Sequence, residues 1–357
     1  VGAAERPLVV VLPGVMGSHL GVGPKGDDRV WFDPVDIATG GLEKIAWGRA
    51  GVAAEELFGM FYGNLAKKLA ESHRVAPYPY DWRQPVDVLA DDLAKFLTRQ
   101  MLASSQPIRL LAHSMGGLVV RACIHRHRAL MDELMARDGA RLIMLGTPNQ
   151  GAYSMVANLL GKGDTLRTLV RLDLKHDMQQ VLDIVAGFRG ALQLLPKPGF
   201  RDTFQGQSDG GADGWAFQKA ETWPTLAAKV QDRWFGNGRV GRPSQDTLDA
   251  ASWLWAQDGA ARPSLPKDYE AKSVYVFGVA ANTPCGLREV DGQLKLVGTT
   301  RGDGTVTWES GRIDGVGSYY YMAAEHGDLP STEEHFPALV ELLARGRTQQ
   351  LPTSPPA

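Results

Sequence analysis

The sequence contains a serine, an aspartate and a histidine that could together carry out nucleophilic chemistry. They are Ser114, Asp303 and His326, in that order along the chain. Ser114 lies in AHSMG, between an apolar run at residues 108–111 and a second apolar stretch that begins at Leu118. A strand, a turn of small residues and a helix would hold the serine hydroxyl above the edge of a sheet, as a nucleophile elbow does. A strand-to-helix turn with an incidental serine would read the same locally, so the interpretation depends on the rest of the chain.

The general base must come from the histidines that follow the serine. His326 and His335 lie near the end of the chain, and His176 lies in its middle. His326 follows the last predicted strand and precedes a glycine, which predicts a loop at the edge of the sheet. Ser331 and Glu334 form a capping-box pattern that places His335 inside the final helix. The sequence therefore favours His326 as the group that takes the serine proton.

The acid that orients this histidine has four candidates. Asp291 belongs to a two-residue Asp-Gly hairpin turn, and Asp314 lies in a second Asp-Gly turn. Asp328 is too close to His326 in sequence to orient it. Asp303, in GDGTV, stands on a glycine-flanked loop from which a carboxylate could reach the imidazole. We therefore predict that Asp303 holds the histidine in the correct tautomer and stabilises its cation.

An acyl-transfer site also needs two donors for the oxyanion. The apolar run at residues 8–12 predicts a first strand, which leads into PGVMGS, where Gly14 and Gly17 permit a tight turn with outward N–H groups. The backbone N–H of Met115, directly after the serine, is one predicted donor. Val15 in the first loop is the other. A plain turn between a strand and a helix is the alternative interpretation of that loop.

The alternation of apolar runs and helical spacing predicts an α/β fold with a mostly parallel sheet flanked by helices. Residues 21–51 carry many glycines and predict irregular structure. Helical, loop-rich sequence with five tryptophans then occupies residues 151–272, which predicts a cap or lid whose tryptophans form its own core or line an acyl pocket. The predicted core is 1–150 with 273–346, and 347–357 is a proline-rich tail. Predicted strands are 8–12, 108–111, 141–145, 273–279 and 319–322; predicted helices include 57–69, 86–96 and one from Ser331 onwards.

The composition excludes several classes of protein. The 357 residues carry a formal net charge of -2 with no basic block, which argues against nucleic-acid binding. No apolar run approaches the roughly 18 residues that a membrane-spanning helix needs. Cys123 and Cys285 suggest neither a disulfide framework nor a metal site. With no signal peptide in view, these features weakly favour the cytoplasm, although a chain beginning at Val1 is also what removal of a leader would leave.

Six motifs in order span about 300 residues: LPGVMGSHL, PYDWR, AHSMGG, LGTPNQG, GDGTV and EHGDL. Through these motifs and their order, the sequence resembles the lecithin:cholesterol acyltransferase and phospholipid:diacylglycerol acyltransferase family, in a bacterial-looking form. The resemblance implies an α/β-hydrolase fold with a cap, a Ser-Asp-His triad, acyl transfer from lipid esters to water or an alcohol, and Val15 as an oxyanion donor. The chain departs from the family at Ala112, where glycine is usual, and in lacking the paired cysteines of animal members.

These observations predict a serine-dependent acyl hydrolase or acyltransferase for apolar, lipid-like esters, such as a lipase, phospholipase A or esterase. No metal and no organic cofactor is expected. Water can resolve an acyl-enzyme unless the cap excludes it, which favours hydrolysis over transfer to an alcohol. A catalytically silent binding or regulatory module and a peptidase or amidase are the alternatives. Met16, Tyr80 and Trp82 are expected to line the substrate site, and the cap to contact a membrane surface transiently.

Overall fold

The computed structural model describes residues 6–23, 28–202 and 215–356. Its strands are β1 (Leu8–Leu12), β2 (Ser18–Val22), β3 (Asp28–Trp31), β4 (Val52–Leu57), β5 (Arg74–Pro77), β6 (Ile108–His113), β7 (Arg141–Leu145), β8 (Ser273–Gly278), β9 (Thr283–Val290), β10 (Gln293–Thr299) and β11 (Ser318–Met322). Its helices are α1 (Pro34–Ala38), α2 (Gly59–Ala70), α3 (Val86–Ala103), α4 (Met115–Arg126), α5 (Arg128–Ala136), α6 (Tyr153–Leu159), α7 (Asp164–Leu172), α8 (Met178–Ala186), α9 (Arg189–Leu192), α10 (Thr222–Ala227), α11 (Gln245–Ala251), α12 (Trp253–Asp258), α13 (Trp308–Gly311) and α14 (Phe336–Arg345).

The central sheet has six parallel strands in the order β11-β8-β7-β6-β1-β5. This confirms the predicted α/β architecture. From β1 the chain moves to β5 on one side and returns to β6 on the other side of β1. At such a switch point the connections diverge and leave a crevice at the carboxyl ends of the two strands. The loops after β1 and β6, which carry PGVMGS and AHSMG, therefore meet at the same edge.

The strand β1 shows why a continuous apolar run is needed. Its side chains alternate between the two faces of the sheet. Leu8, Val10 and Leu12 lie in a large core with α3, α4 and the helices after β7. Val9 and Val11 lie in a second core with α2 and α14. A strand buried on both faces has no solvent-facing positions, so it lacks a polar alternation.

Helices α6–α12 occupy the stretch between β7 and β8 that the sequence predicted to be a cap. Trp223 and Trp255 are buried in the same core as one face of the sheet, so these two are core residues, but of a core shared with the sheet and not of the cap alone. Trp215 and Trp253 are half-buried, whereas Trp234 is 75% exposed. The packing of this stretch is thus continuous with that of the sheet. The glycine-rich sequence at residues 206–214 lies outside the described residues.

Three local predictions were wrong. Residues 21–51 are not merely irregular, because β2 pairs with β3 and with β4 in a second, antiparallel sheet. Leu57 closes β4, and α2 begins at Gly59 instead. The final helix begins at Phe336, and the Ser331 hydroxyl donates to the Asp328 carbonyl instead of capping a helix. Pro337 in the first turn suits this later start, because its fixed φ and missing N–H fit that position.

The predicted hairpin is confirmed. Asp291 and Gly292 have φ values of 52° and 74°, as a type I′ turn requires at both central positions. The hairpin joins β9 and β10 as a separate two-stranded sheet. Within the described part of the chain, no helix is both long and apolar enough to cross a membrane.

Candidate active site

Ser114 lies between β6 and α4 with φ 52° and ψ −124°. A left-handed φ is strained for a residue with a side chain and persists where the surroundings enforce it. The neighbouring small residues make the turn possible, since a Cβ on Gly116 would lie 2.7 Å from the Pro13 carbonyl oxygen. A Cβ on Gly117 would lie 2.1 Å from the Thr147 hydroxyl oxygen. The structure therefore places the serine on the sharp turn that the motif predicted.

The structure brings Ser114, His326 and Asp303 together. The Ser114 Oγ lies 2.8 Å from His326 Nε2, and His326 Nδ1 lies 2.8 Å from Asp303 Oδ2. A carboxylate only accepts hydrogen bonds, so Nδ1 carries the ring proton and Nε2 accepts from the serine hydroxyl. Ser114 and Asp303 are buried, and His326 is half-buried. This is the arrangement in which a histidine can take the serine proton.

The loop between β10 and α13 orients the Asp303 carboxylate. Its Oδ1 accepts from the backbone N–H groups of Thr305 at 2.9 Å and Val306 at 2.6 Å. This leaves Oδ2 for the histidine ring. A Cβ on Gly278, at the end of β8, would lie 2.7 Å from Asp303 Cβ. The Asp303 side chain is therefore held by its own loop and by close packing against the sheet.

The GTPNQG motif begins at Gly146, directly after β7. Gly146 has φ 55°, and a Cβ there would lie 2.9 Å from Asp303 Oδ2 and 3.0 Å from His326 Nδ1. A side chain at this position would intrude on the hydrogen bond between Asp303 and His326. The sequence alone indicated no structural role for this motif, although a glycine directly after a buried strand was the available signal.

The rest of the same motif holds the helix that follows the acid loop. Asn149 Nδ2 donates to the Gly311 carbonyl at 2.8 Å. Gln150 donates from its side chain to the Glu309 carbonyl at 3.1 Å and from its backbone to the Ser310 carbonyl at 3.0 Å. These bonds fasten α13 to the loop after β7. They fix the far end of the segment that carries Asp303.

The loop after β1 lies directly against Ser114. A Cβ on Gly14 would lie 2.9 Å from Ser114 Cβ and 3.4 Å from Ser114 Oγ. Val15 comes next and is half-buried. Met115 is the first residue of α4, where backbone N–H groups have no acceptor within the helix. Both predicted oxyanion donors therefore belong to segments that adjoin the serine.

The PYDWR motif supports that first loop. The Tyr80 hydroxyl donates to the Pro13 carbonyl at 2.6 Å, and its backbone N–H donates to Ser18 Oγ at 3.1 Å. Trp82 Nε1 donates to the Ser18 carbonyl at 3.2 Å. Tyr80 and Trp82 are buried with these polar atoms directed at protein. Through these hydrogen bonds Tyr80 and Trp82 support the loop after β1. Their predicted contact with substrate stays a prediction.

Two further residues complete this picture. Met16 has φ 63°, and its carbonyl accepts from Trp31 Nε1 at 2.9 Å. Its contact with substrate likewise stays a prediction. Arg83 is buried and binds Asp81 through two nitrogens at 2.8 and 2.7 Å, while a third donates to the Ile45 carbonyl at 2.7 Å. The sequence assigned Arg83 no such role.

The alternative acids and bases lie elsewhere. His335 contacts Glu334 at 3.2 Å in the turn before α14. His176 is paired with Asp173 at 2.8 Å, after α7. Asp291 occupies its hairpin turn. Among the described residues, none of these side chains forms a hydrogen bond with Ser114 or His326.

Two other kinds of site deserve comparison with the triad. A cavity of about 270 Å³ is lined by Arg121, His125 and Leu265, among others, but not by Ser114. This cavity does not coincide with the hydrogen bond between Ser114 and His326. Within residues 6–23, 28–202 and 215–356, no group of three or more His, Cys, Asp or Glu side chains is arranged to hold a metal ion.

The parallel sheet and the serine on a strained turn after a central strand define an α/β-hydrolase fold. The sequence model of the lecithin:cholesterol acyltransferase family matches residues 37–226, more than half of the chain. The chain therefore belongs to this family. At the level of the family, this places it among acyl hydrolases and acyltransferases of lipid esters.

Solved structures are similar to the chain over nearly its whole length. The crystal structure of the Tle4-Tli4 complex contains a chain that is 14% identical, with 94% of this chain and 98% of that chain covered and a TM-score of 0.52. The mature Bacillus licheniformis lipase BlEst2 is 14% identical, with 96% and 94% covered and a TM-score of 0.42. At this identity the first likeness concerns the fold alone. A search of the curated proteins found no match.

Proposed function

We propose that the protein is a serine-dependent acyl hydrolase or acyltransferase of lipid-like carboxylic esters that works through an acyl-enzyme. The observation that carries the proposal is the pair of 2.8 Å hydrogen bonds that joins Ser114 to His326 and His326 to Asp303. Membership of the family supports a lipid ester as the substrate.

The first half of the reaction follows from this geometry. His326 Nε2 takes the Ser114 proton as Oγ attacks the ester carbonyl carbon, while Asp303 stabilises the imidazolium that forms. The backbone N–H groups of Val15 and Met115 are the proposed donors to the oxyanion. Loss of one such donor costs about 10²- to 10³-fold in rate. The intermediate then expels the alcohol, which receives the proton from His326 and leaves an acyl-serine.

The second half returns the enzyme to its starting state. Water, or an alcohol in the transferase reaction, attacks the acyl carbon, and His326 takes its proton. Collapse of the second intermediate releases the acid or the new ester, and the proton returns to Ser114 Oγ. Hydrolysis is the proposed main activity, because water resolves an acyl-enzyme wherever it has access. Transient contact with a lipid surface through residues 151–272 belongs to the same proposal, supported by the exposed Trp234 and Leu174.

A fluorophosphonate tests the nucleophile. It should label the wild-type protein and a Ser105→Ala control, in which an exposed serine is removed, but not Ser114→Ala. Turnover of p-nitrophenyl esters should fall by several powers of ten in Ser114→Ala alone, about 10⁶-fold where the whole triad advantage is lost. An active but unlabelled wild type would contradict the mechanism. A protein that is neither labelled nor active across chain lengths would instead be the silent binding module.

Substrate class and acceptor need separate comparisons. An ester and its matching amide, measured side by side, should show preference for the ester, and preference for the amide would indicate a peptidase or amidase. A lipid panel analysed by mass spectrometry with and without added alcohol should show free fatty acid as the main product. Accumulation of the new ester at the expense of the acid would make transfer the main activity.

A further inference from the structure

A chain of hydrogen bonds passes through His113, the residue directly before Ser114. The backbone N–H of Gly14 donates to the Tyr62 hydroxyl oxygen at 2.9 Å. The Tyr62 hydroxyl lies 2.8 Å from His113 Nδ1, and His113 Nε2 lies 2.9 Å from the His326 carbonyl oxygen. Tyr62 and His113 are both buried. The chain thus runs from the loop after β1 to the loop after β11.

The direction of every bond in this chain is determined. The His326 carbonyl can only accept, so His113 Nε2 must carry a proton. Nδ1 of the neutral ring is then an acceptor, and the Tyr62 hydroxyl donates a hydrogen bond to it. The Tyr62 oxygen accepts in turn from Gly14. The neutral Nε2–H tautomer of His113 therefore gives every hydrogen bond of this chain one donor and one acceptor.

Burial keeps His113 in that neutral state. Desolvation, followed by the proximity of His326, lowers the pKa of His113 to about 3. Desolvation also raises the pKa of the Tyr62 phenol. Both groups therefore keep the protonation that the chain requires across the pH range in which a histidine base works.

The two ends of the chain are the segments that the acyl transfer depends on. Gly14 adjoins both Ser114 and Val15. His326 supplies its ring to the reaction, so its backbone carbonyl is the atom left for positioning. Its backbone N–H is already bound to the Asp303 carbonyl at 2.8 Å. The hydrogen bond from His113 thus holds the backbone carbonyl of His326, as the bond to Asp303 holds its backbone N–H.

We propose that Tyr62 and His113 are positioning residues, which hold the oxyanion loop and the loop of the base in register with Ser114. The proposal rests on the proposed serine hydrolase function. Neither residue touches the reacting atoms through this chain. Their effect is preorganisation, and a displacement of about 1 Å at such a site can cost about 10²-fold in rate.

Kinetics of conservative variants test the proposal. Tyr62→Phe removes both bonds of the hydroxyl and should lower kcat by about 10- to 100-fold with KM changed by less than about twofold. The matched control is Tyr78→Phe, which removes a buried hydroxyl outside the chain and should leave kcat unchanged. Equal kcat in Tyr62→Phe and wild type, with the same melting temperature, would overturn the proposal.

Rescue at position 113 separates positioning from mere stability. His113→Leu cannot bond to the His326 carbonyl, whereas His113→Gln keeps an N–H donor. We expect the glutamine variant to recover at least several-fold of the kcat that the leucine variant loses. His73→Gln, at a buried histidine at the opposite end of the sheet, should leave kcat unchanged. Equal losses in the leucine and glutamine variants, with both folded, would contradict a positioning role.

A readout that needs no activity distinguishes failure of this proposal from failure of the proposed function. Nitrogen-15 NMR of the histidine rings should show His113 as the Nε2–H tautomer and still neutral at pH 5. A protonated His113, or the Nδ1–H tautomer, would refute the chain whatever the activity. A wild type without turnover or labelling, but with this tautomer, would refute the hydrolase function alone.

Discussion

Asp303 and His326 are joined twice, once through side chains and once through the backbone. The carboxylate Oδ2 lies 2.8 Å from the ring Nδ1, and the His326 backbone N–H donates to the Asp303 carbonyl at 2.8 Å. The backbone bond ties the loop after β10 to the loop after β11 without help from the carboxylate. The chemistry of the acid can therefore be altered while the two loops remain in contact.

Asp303→Asn should separate charge from structure. The amide oxygen can still accept from Thr305 and Val306, but the amide nitrogen favours the wrong tautomer of His326. We expect kcat to fall about 10⁴-fold with an unchanged circular dichroism spectrum. Asp314→Asn, at an exposed Asp-Gly turn, is the matched control and should keep full activity. A decrease in kcat of less than tenfold would argue against Asp303 as the acid.

Gly146→Ala should disable the triad without touching its residues. The added carbon would lie 2.9 Å from Asp303 Oδ2 and 3.0 Å from His326 Nδ1, so the two groups must separate. We expect kcat to fall by about 10²-fold or more. Gly48→Ala is the control, because Gly48 also has a left-handed φ, of 86°, but no neighbour within 4 Å of an added carbon. In both variants the added side chain costs about 1 kcal/mol of backbone strain at a left-handed φ. Equal activities in the two variants would contradict the prediction.

Tyr80→Phe should show whether this residue supports the first loop or contacts substrate. The lost hydrogen bond to the Pro13 carbonyl leaves a buried acceptor without its partner, at a cost of about 1–3 kcal/mol. We expect kcat to fall for all acyl chain lengths in the same proportion. Measuring kcat and KM over a series of p-nitrophenyl esters checks this. A change of KM confined to certain chain lengths would favour the alternative, in which Tyr80 lines the acyl site.

Acid should destabilise the fold partly through His73. Desolvation, and then Arg109, lower the pKa of this histidine to about 4 from its usual 6.5. Between these values the unfolded chain binds a proton that the folded chain does not, so stability falls as the pH falls. From pH 7 to pH 5 this histidine should remove about 2 kcal/mol. Urea unfolding at both pH values should show that His73→Gln loses less stability than wild type over this interval, and an equal loss would contradict the assignment.

Much of the architecture was predictable from local sequence. The runs at residues 8–12 and 141–145 coincide with β1 and β7, because strands buried on both faces are nearly continuous apolar runs, with the half-buried Arg141 only at the start of β7. The Asp291-Gly292 turn was also readable, since few residues adopt two successive positive φ values. The second sheet was not, because Ser18–Val22 pairs with Val52–Leu57 across the glycine-rich residues 23–51.

By itself, the sequence determined which residue types stand in a suitable order and predicted their chemistry: Ser114 on a turn of small residues, Asp303 between glycines, and His326 after the last predicted strand. Only the tertiary structure decided that these three lie within hydrogen-bonding distance, since His326 is 212 residues from Ser114. It also revealed Gly146, Tyr62 and His113 around them. The physical reason is that periodicity reports which face of an element is buried, whereas contacts between loops depend on strand order and close packing.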